Sequence, residues 1–331
     1  MKPRLLPFLA CPDCRGDLTI KRQELEGAEI VDGDLLCGGC KRVFPIQRGV
    51  PRLLPRGVGA LSVEVADGFG WQWNRFDEIR PEYVQQFLDW IRPLTEADFA
   101  GKRVLEGGCG KGRHTAVIAG FGATDVFAVD LGSAVEAAYR NSGHLEAVHV
   151  IQGDITKLPL KRCADVGVCV GVLHHLPEPE RGFYEIASKV LPGGRVAIWV
   201  YGREGNEWIV NFVDPVRNRV TSKMPRDLLY RMTLPIGWLL TGAAKAVYKP
   251  LSRVSPALHQ KLFYKDYLTY IADLSARDIH NIVFDQLVTP VAHYLNRGEV
   301  AAWFEDARFE HTELAHHNGN SWRANARISA A

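Results

Sequence analysis

Four cysteines near the start of the chain have the spacing of metal ligands. They form two Cys-x-x-Cys pairs, Cys11 with Cys14 and Cys37 with Cys40. Zinc binds four thiolate or imidazole ligands in a tetrahedron, and each Cys-x-x-Cys turn presents two thiolates to one ion. We therefore predict a structural zinc site, because four cysteines leave no open position for a substrate. The alternative is that the pairs are redox dithiols or free thiols.

A glycine-rich run after a short apolar strand has the pattern of a nucleotide-binding turn. The run, residues 104–112, reads Val-Leu-Glu-Gly-Gly-Cys-Gly-Lys-Gly. Its glycines let the backbone turn sharply and approach a ligand, but dinucleotide enzymes use the same device. Glu106 argues against a dinucleotide at this turn, because its carboxylate would repel a pyrophosphate. The same carboxylate would attract a ligand with a cationic amino group.

Acidic residues also end the next two predicted strands. Asp130, followed by Leu131, comes 24 residues after Glu106 and can accept hydrogen bonds from two ribose hydroxyls. Asp154, followed by Ile155, ends the third strand. Because the carboxyl ends of parallel strands meet at one edge of a sheet, we expect these acids to surround one ligand.

Taken in order, these segments resemble the motifs of class I S-adenosylmethionine-dependent methyltransferases over roughly residues 69–200. The run at 165–176 is similar to the family's fourth motif, and Leu-Pro-Gly-Gly at 191–194 precedes a fifth strand as in the family. The chain departs from the family pattern at Glu106, where aspartate is more frequent, and at Gly107, where an apolar residue is usual. Neither departure affects the expected binding of S-adenosylmethionine.

The resemblance implies a role for each site residue. Glu106 would face the amino group of S-adenosylmethionine, Asp130 the ribose and Asp154 the adenine amino group, with Ile155 packed on the adenine ring. The full set of predicted cofactor-binding residues is Glu106, Gly107, Gly108, Gly110, Gly112, Asp130, Leu131, Asp154, Ile155 and Gly171.

Methyl transfer from a sulfonium is an in-line displacement, so the protein mainly aligns the acceptor and excludes water. An oxygen or nitrogen acceptor also needs a general base, and His174 or His175, just after the fourth strand, is the candidate. The alternative is that both histidines serve packing or cap the loop. Trp73 and Arg75, before the first strand, are further candidates for the site.

The cysteine-containing segment resembles the zinc ribbon of the small tRNA-methyltransferase activator family. The similarity covers Cys-Pro-x-Cys, the second cysteine pair and the run from Phe44 to Leu54. In that family the ribbon is a partner module for methyltransferases, and here it is fused to one.

The elements that position these residues alternate between apolar strands and helices from residue 102 to 200, which predicts a parallel sheet covered on both faces. The predicted fold class is α/β, a Rossmann-like, doubly wound, mostly parallel seven-stranded sheet with a small zinc ribbon and a helical insertion. We expect the ribbon at 1–56, a linker and lead-in helix at 57–98, and the methyltransferase domain at 99–331. The insertion lies at about 202–290, and a strand pair closes the chain.

The insertion has a composition of its own. Between residues 215 and 265 it holds ten Lys or Arg and one acid, in a chain with a net charge of +2. Apolar helical stretches accompany these cations, a combination that suits an anionic lipid surface, a lipid-linked or phosphorylated acceptor, or RNA. The alternative is a solvated lid whose apolar face packs on the domain.

The composition, with 47% hydrophobic and 24% charged residues among 331, is that of a globular protein with a packed core. No signal peptide or membrane span is recognisable, so we expect a cytoplasmic protein, with contact at a membrane surface left open. The favoured function is methylation of a small-molecule or lipid-linked acceptor. The alternatives are methylation of rRNA or tRNA, and a non-catalytic scaffold that binds the cofactor.

Overall fold

A computed structural model describes residues 1–330, whose strands form one mixed eleven-stranded sheet. The strands are β1 Leu18–Glu26, β2 Glu29–Cys37, β3 Val43–Gln47, β4 Val50–Leu53, β5 Arg103–Gly107, β6 Asp125–Asp130, β7 Val148–Gly153, β8 Ala164–Val170, β9 Val190–Tyr201, β10 Phe309–His317 and β11 Ser321–Ile328. Their order across the sheet is β1-β2-β3-β4-β7-β6-β5-β8-β9-β11-β10.

Seven neighbouring strands, from β7 to β10 in that order, match the predicted Rossmann-like sheet. β5 to β9 are parallel to one another, and β11 and β10 add an antiparallel pair at the edge. The chain fills one side of the sheet with β6 and β7, and then crosses to the other side with β8 and β9. The carboxyl ends of β5 and β8 therefore flank a topological switch point, where open α/β sheets bind ligands.

Helices cover both faces of this sheet or belong to the insertion. The α-helices are α1 Ala60–Arg75, α2 Glu82–Trp90, α3 Arg113–Gly120, α4 Ala134–Ser142, α5 Pro179–Lys189, α6 Asp214–Arg219, α7 Arg226–Ala243, α8 Lys249–Val254, α9 Pro256–His259, α10 Lys265–Ile271, α11 Ala276–Val288 and α12 Arg297–Ala302.

Alternate residues of the central strands enter two separate cores. In β6, Val126 and Ala128 pack into the core under α2, α3 and α4, whereas Phe127 and Val129 pack into the core on the opposite face. Burial on both faces explains why these strands are almost continuously apolar in the sequence.

In the segment predicted at 57–98 as a linker and lead-in helix, α2 lies where the lead-in helix was expected, but most of the predicted linker is itself a helix. α1 begins at Ala60, and its two glycines lie where another part of the chain comes close. A Cβ atom on Gly70 would stand 2.4 Å from the Ser133 hydroxyl oxygen, and one on Gly68 would touch Val288. These glycines serve packing within a helix, which their composition alone does not distinguish from a flexible linker.

The cysteine-containing segment joins the large sheet directly. Its last strand, β4, pairs in parallel with β7, with Leu53 opposite Gly153. Arg52 donates a hydrogen bond to Glu136 of α4 at 2.7 Å, which adds an ion pair to the same junction. The sheet predicted to have seven strands is thus extended to eleven by the four strands of this segment.

The predicted helical insertion contains α6 to α11, with π-helical turns at Ile209–Val213 and Ala244–Tyr248. α7 packs along α11, and Phe284 of α11 is fully buried beside Leu229 of α7. Within residues 1–330, no helix has both the length and the apolar character that crossing a bilayer requires.

Candidate active site

A cavity of about 550 Å³ opens at the carboxyl ends of the parallel strands and extends beneath the insertion. Seven of the ten residues predicted to bind the cofactor line it: Gly108, Gly110, Asp130, Leu131, Asp154, Ile155 and Gly171. The strand ends therefore bring together most of the predicted set around one space.

The glycine turn forms the floor of this cavity because its backbone occupies the left-handed region. Gly108, Gly110 and Gly112 have φ angles of 76°, 53° and 79°. A Cβ atom on Gly108 would lie 2.4 Å from a methyl carbon of Val172, so glycine is required there for both conformation and space. Trp73 covers Gly110 and also lines the cavity, whereas Arg75 lies outside it over the ring of Tyr230.

Asp130 is held at the cavity wall by the backbone around it. Its Oδ2 accepts a hydrogen bond from the Gly110 N–H at 2.9 Å, and its Oδ1 accepts one from the Gly132 N–H at 3.0 Å. Burial raises the pKa of this carboxyl group, and the backbone donors oppose that effect. The side chain has a fixed orientation before any ligand arrives.

Asp154 occupies the corresponding place after β7. Its Oδ1 accepts hydrogen bonds from the N–H and the hydroxyl of Thr156, both at 2.8 Å. Its Oδ2 has no hydrogen-bond partner among residues 1–330, so one carboxylate oxygen is available to a ligand in the cavity.

Glu106 is placed differently from the prediction. It is fully buried and is not among the residues that line the cavity; its Oε2 accepts a hydrogen bond from the Thr115 hydroxyl on α3. Burial raises the pKa of this carboxyl group to about 8. Gly107 and Gly112 also lie outside the cavity wall, with Gly112 packed against Ala138 of α4.

The two predicted histidines have different surroundings. His175 lines the cavity, and its Nδ1 is 2.8 Å from the Val291 carbonyl oxygen, so this nitrogen carries the proton and Nε2 keeps its lone pair. His174 is fully buried, stacks on Tyr201 with ring centroids 3.9 Å apart, and is not part of the cavity wall. Burial lowers the pKa of both imidazoles, which are neutral at pH 7.

The insertion, together with Tyr201 before it and Tyr294 after it, supplies a second wall that the sequence did not assign. At its centre the Tyr201 hydroxyl donates to Asp285 at 3.0 Å and accepts from the Gln286 amide at 3.0 Å. The Tyr294 hydroxyl donates to the side-chain amide oxygen Oε1 of Gln286 at 2.9 Å. The cavity-lining aromatic residues of this wall are Tyr201, Trp208, Phe263, Tyr264, Tyr267, Tyr270 and Tyr294.

A signal for part of this wall was present in the sequence. Tyr264, Tyr267 and Tyr270 recur at intervals of three residues, which places them on one side of α10 and of the residue before it. The Tyr267 side chain lines the cavity, and its hydroxyl makes no hydrogen bond within residues 1–330, so it is free to bind a ligand there. Asp285 had no comparable signal, because its place at the cavity depends on how α11 packs.

Lys111 ties the glycine turn to the segment before α2. Its ammonium donates hydrogen bonds to the carbonyl oxygens of Phe76 and Glu78 at 2.7 and 2.8 Å, and to the Tyr83 hydroxyl at 3.2 Å. Burial lowers the pKa of this lysine to about 7. These contacts hold the segment that precedes β5 against the cavity.

The four cysteines of the two pairs form a compact cluster. Their sulfur atoms all lie within 4.8 Å of one another, with 3.7 Å between Cys11 and Cys40 and 3.4 Å between Cys14 and Cys37. Zinc–thiolate bonds of about 2.3 Å in a tetrahedron separate sulfurs by roughly 3.8 Å. The donor set and its spacing fit one zinc ion.

Two family descriptions match different parts of this chain. Residues 105–198 match the one described as "Methyltransferase domain", and residues 2–49 match "Trm112p-like protein". The second match agrees with the predicted resemblance of the ribbon to the activator family.

Several curated proteins are similar to this chain. The mitochondrial ubiquinone biosynthesis O-methyltransferase of Schizosaccharomyces pombe is 33% identical over 59% of this chain and 78% of its own length. An uncharacterised methyltransferase of Mycobacterium tuberculosis is 31% identical over 49% and 67%. A tRNA U34 carboxymethyltransferase of Idiomarina loihiensis is 24% identical over 62% and 59%. This chain covers only 26% of another relative, an uncharacterised Synechococcus protein.

Among solved structures, magnesium protoporphyrin IX methyltransferase from Synechocystis PCC 6803 with bound S-adenosylmethionine is 14% identical over 83% of this chain and 100% of its own, with a TM-score of 0.46. The chain belongs to the S-adenosylmethionine-dependent methyltransferases.

Proposed function

We propose that this methyltransferase acts on a small-molecule or lipid-linked acceptor that binds against the aromatic wall of the insertion. The observation that carries the proposal is that one cavity joins the cofactor half, at the strand ends, to an acceptor half built by Tyr201, Asp285 and their neighbours. A volume of about 550 Å³ is in the usual range of roughly 300–1,000 Å³ for small-molecule sites.

In the cofactor half, we assign the ribose to Asp130 and the adenine to Asp154 and Ile155. The Gly110 and Gly132 amides fix the Asp130 carboxylate, so it is already oriented to accept hydrogen bonds from two hydroxyls. The free Oδ2 of Asp154 can accept from the adenine amino group. When bound, S-adenosylmethionine supplies an electrophilic methyl group on a sulfonium.

In the acceptor half, His175 is the better placed of the two predicted bases. Its neutral imidazole lines the cavity and has Nε2 available to take a proton from an oxygen or nitrogen acceptor. His174 has a structural role in this half of the cavity. Its ring packs on Tyr201, and its main-chain carbonyl oxygen accepts a hydrogen bond from the His293 N–H at 2.8 Å.

The chemistry of the acceptor wall favours a small or lipid-linked molecule over RNA. Aromatic rings and hydroxyls dominate this wall, whereas a nucleic-acid site needs cations for the phosphates. The relative from Schizosaccharomyces pombe, named for ubiquinone biosynthesis, agrees with this choice. RNA remains the second candidate, because the ribbon is Trm112p-like and one relative is named for tRNA.

The experiment that tests the function is methyl-label transfer. The protein is incubated with S-adenosylmethionine labelled in the methyl group and with separate lipid, RNA and small-molecule fractions of a cell extract. With the native chain we expect label in the lipid or small-molecule fraction. With Asp130→Ala, a variant that lacks the carboxylate proposed to bind the ribose, we expect none. Label in the RNA fraction would instead establish the second candidate.

We also propose that Cys11, Cys14, Cys37 and Cys40 hold one structural zinc ion. The sulfur spacing and the complete set of four thiolates support this assignment. The ion would hold the two cysteine-bearing turns together.

A further inference from the structure

We infer that the insertion docks on an anionic phospholipid membrane and that the mouth of the cavity lies within the docked surface. The acceptor would then enter the site from the membrane. This last step rests on the proposed function, because it requires a lipid-linked acceptor; the docking itself does not.

Exposed apolar side chains are concentrated on the insertion. Of the eighteen large hydrophobic residues that are exposed in residues 1–330, twelve lie between Phe212 and Phe263. On α7, Leu228, Met232, Ile236 and Leu239 recur at intervals of three or four residues and form one outward stripe, with Leu239 76% exposed. Trp238, 68% exposed, lies beside this stripe. An apolar face of this kind needs a partner that is itself apolar.

Unpaired cations accompany this apolar surface. Between residues 215 and 265, six exposed basic residues make no ion pair with any part of residues 1–330: Arg219, Lys223, Arg231, Lys245, Arg253 and Lys261. The one acid between residues 215 and 265, Asp227, is 4.0 Å from Arg75 and leaves these cations uncompensated. Cations beside an apolar helix face are the two components of an interfacial membrane-binding surface.

The cavity opens through the same surface. Ile236 of the α7 stripe is 48% exposed and also lines the cavity, and Phe263 is 59% exposed and also lines it. Leu240, one turn after Ile236, continues the apolar path inward. A lipid-linked molecule could therefore pass from a bilayer to the acceptor wall along apolar side chains.

Two other partners fit these observations less well. RNA would use the cations, but exposed aliphatic side chains such as Leu239 and Val254 offer nothing to phosphates or to base stacking. A second copy of the chain would cover the apolar stripe, but it would bring two uncompensated basic surfaces together. An anionic membrane satisfies both the charge and the apolar surface.

The test is co-sedimentation of the full chain with vesicles, without S-adenosylmethionine. One set contains phosphatidylcholine alone, and the other contains phosphatidylcholine with phosphatidylglycerol. We expect at least about tenfold tighter binding to the anionic vesicles, with binding that weakens as salt rises. Trp238→Ala combined with Leu239→Ala should weaken binding about tenfold or more, because less apolar surface enters the bilayer.

Matched controls separate the surface from general effects. Arg231→Glu with Lys245→Glu should weaken vesicle binding, whereas Lys21→Glu with Lys102→Glu makes the same change in net charge elsewhere and should not. Leu25→Ala with Val43→Ala removes exposed apolar surface from the ribbon and should leave binding unchanged.

The inference is overturned by equal binding to both vesicle types at all salt concentrations, by absence of binding, or by native-like binding of the α7 variant. RNA binding that depends on Arg231 and Lys245 without vesicle binding would assign the surface to RNA. A dimer that the α7 variant dissociates, without vesicle binding, would assign it to a second copy. Calorimetric titration with S-adenosylmethionine tests the proposed function separately, since vesicle binding can persist when that titration fails.

Discussion

At the residue scale, the contrast between Glu106 and Asp130 decides what each carboxyl group can do. Both end a central strand, and both were predicted at the cofactor. Asp130 accepts two backbone hydrogen bonds at the cavity wall, whereas Glu106 turns to the Thr115 hydroxyl on α3. The sequence predicts an acid at each strand end, but it does not indicate which neighbouring helix will offer a competing donor.

The buried state of Glu106 predicts an unusual pH dependence of stability. Its carboxyl group binds a proton up to about pH 8 in the folded chain, but only up to its ordinary pKa of 4.5 when unfolded. Between pH 4.5 and pH 8 the folded state holds more protons than the unfolded state. The protonated Glu106 side chain therefore makes its full contribution to the free energy of unfolding below pH 4.5, and this contribution is lost as the pH rises through 8. Glu106→Gln removes this loss, on the order of a few kcal/mol.

Denaturant unfolding across this pH window measures the effect. The stability of Glu106→Gln relative to the native chain should rise with pH, while Glu146→Gln, at an exposed position, should follow the native chain. A difference that does not vary with pH would mean that the Glu106 carboxyl group is already ionised in the folded protein.

His175 gives a prediction for catalysis that His174 does not share. Burial holds the pKa of His175 below 6.5, so a general base at this position is active at neutral pH and becomes protonated as pH falls. We expect turnover of the native chain to decline below pH 6.5, and His175→Ala to lose roughly 10²- to 10⁴-fold in kcat. The test is to measure the rate of methyl transfer at a series of pH values, with the cell-extract fraction that takes up label as the substrate.

His174→Ala is the control, because that ring is outside the cavity and packs on Tyr201. It should lower stability and leave the acid limb of the profile in place. Retention of full turnover by His175→Ala at every pH would exclude it as the base.

At the scale of elements, prediction succeeded where the local pattern matches the tertiary role. The strands from β5 to β9 are buried on both faces, so their apolar runs in the sequence identify them. α1 was missed because glycines needed for contact with Ser133 and Val288 look like a linker. The proposed acceptor wall was missed because Tyr201, Asp285 and Tyr294 come from separate parts of the chain that meet only in the folded protein.

The glycine turn between β5 and α3 should tolerate no side chain at Gly108. Gly108→Ala forces an L-residue into a left-handed conformation and places a carbon 2.4 Å from Val172. We expect a loss of about 1–3 kcal/mol in the free energy of unfolding, together with weaker binding of S-adenosylmethionine. Denaturant unfolding and calorimetric titration measure the two effects.

Gly120→Ala is the matched control in α3, where a Cβ atom would meet nothing within 4 Å. That change should be neutral or stabilise by up to about 1 kcal/mol, because alanine lowers the entropy of the unfolded chain. If Gly108→Ala behaved like Gly120→Ala, the turn would be more adaptable than its φ angle and contacts indicate.

At the scale of the whole molecule, the ribbon and the methyltransferase sheet are one structure. The alternation of strands and helices predicted the seven-stranded sheet, and the cysteine spacing predicted the ribbon. Their union through β4 and β7 was not predicted, because β4 is only four residues long and its partner is some 100 residues away. The domain boundaries at residues 56 and 98 stay predictions, since the sheet continues across the first of them.

This continuity means that zinc should affect the cofactor site. The ribbon positions β4, β4 pairs with β7, and β7 ends directly before Asp154. Cys14→Ser removes one of the four proposed zinc ligands. We expect it to reduce the zinc content from the one ion per chain proposed for the native protein, and to lower the melting temperature on the order of 10 °C. We also expect weaker binding of S-adenosylmethionine, because the edge that carries Asp154 loses its neighbour.

Elemental analysis, thermal unfolding and calorimetric titration of the same preparations test the three parts of this prediction separately. Cys163→Ala is the control, since Cys163 is buried outside the cluster. This variant protein should keep its zinc and its affinity for S-adenosylmethionine. Native protein without zinc would refute the ligand assignment. Loss of zinc from Cys14→Ser with unchanged cofactor affinity would mean that β7 holds Asp154 in place without the ribbon, and that the pairing of β4 with β7 transmits no stability between the two parts.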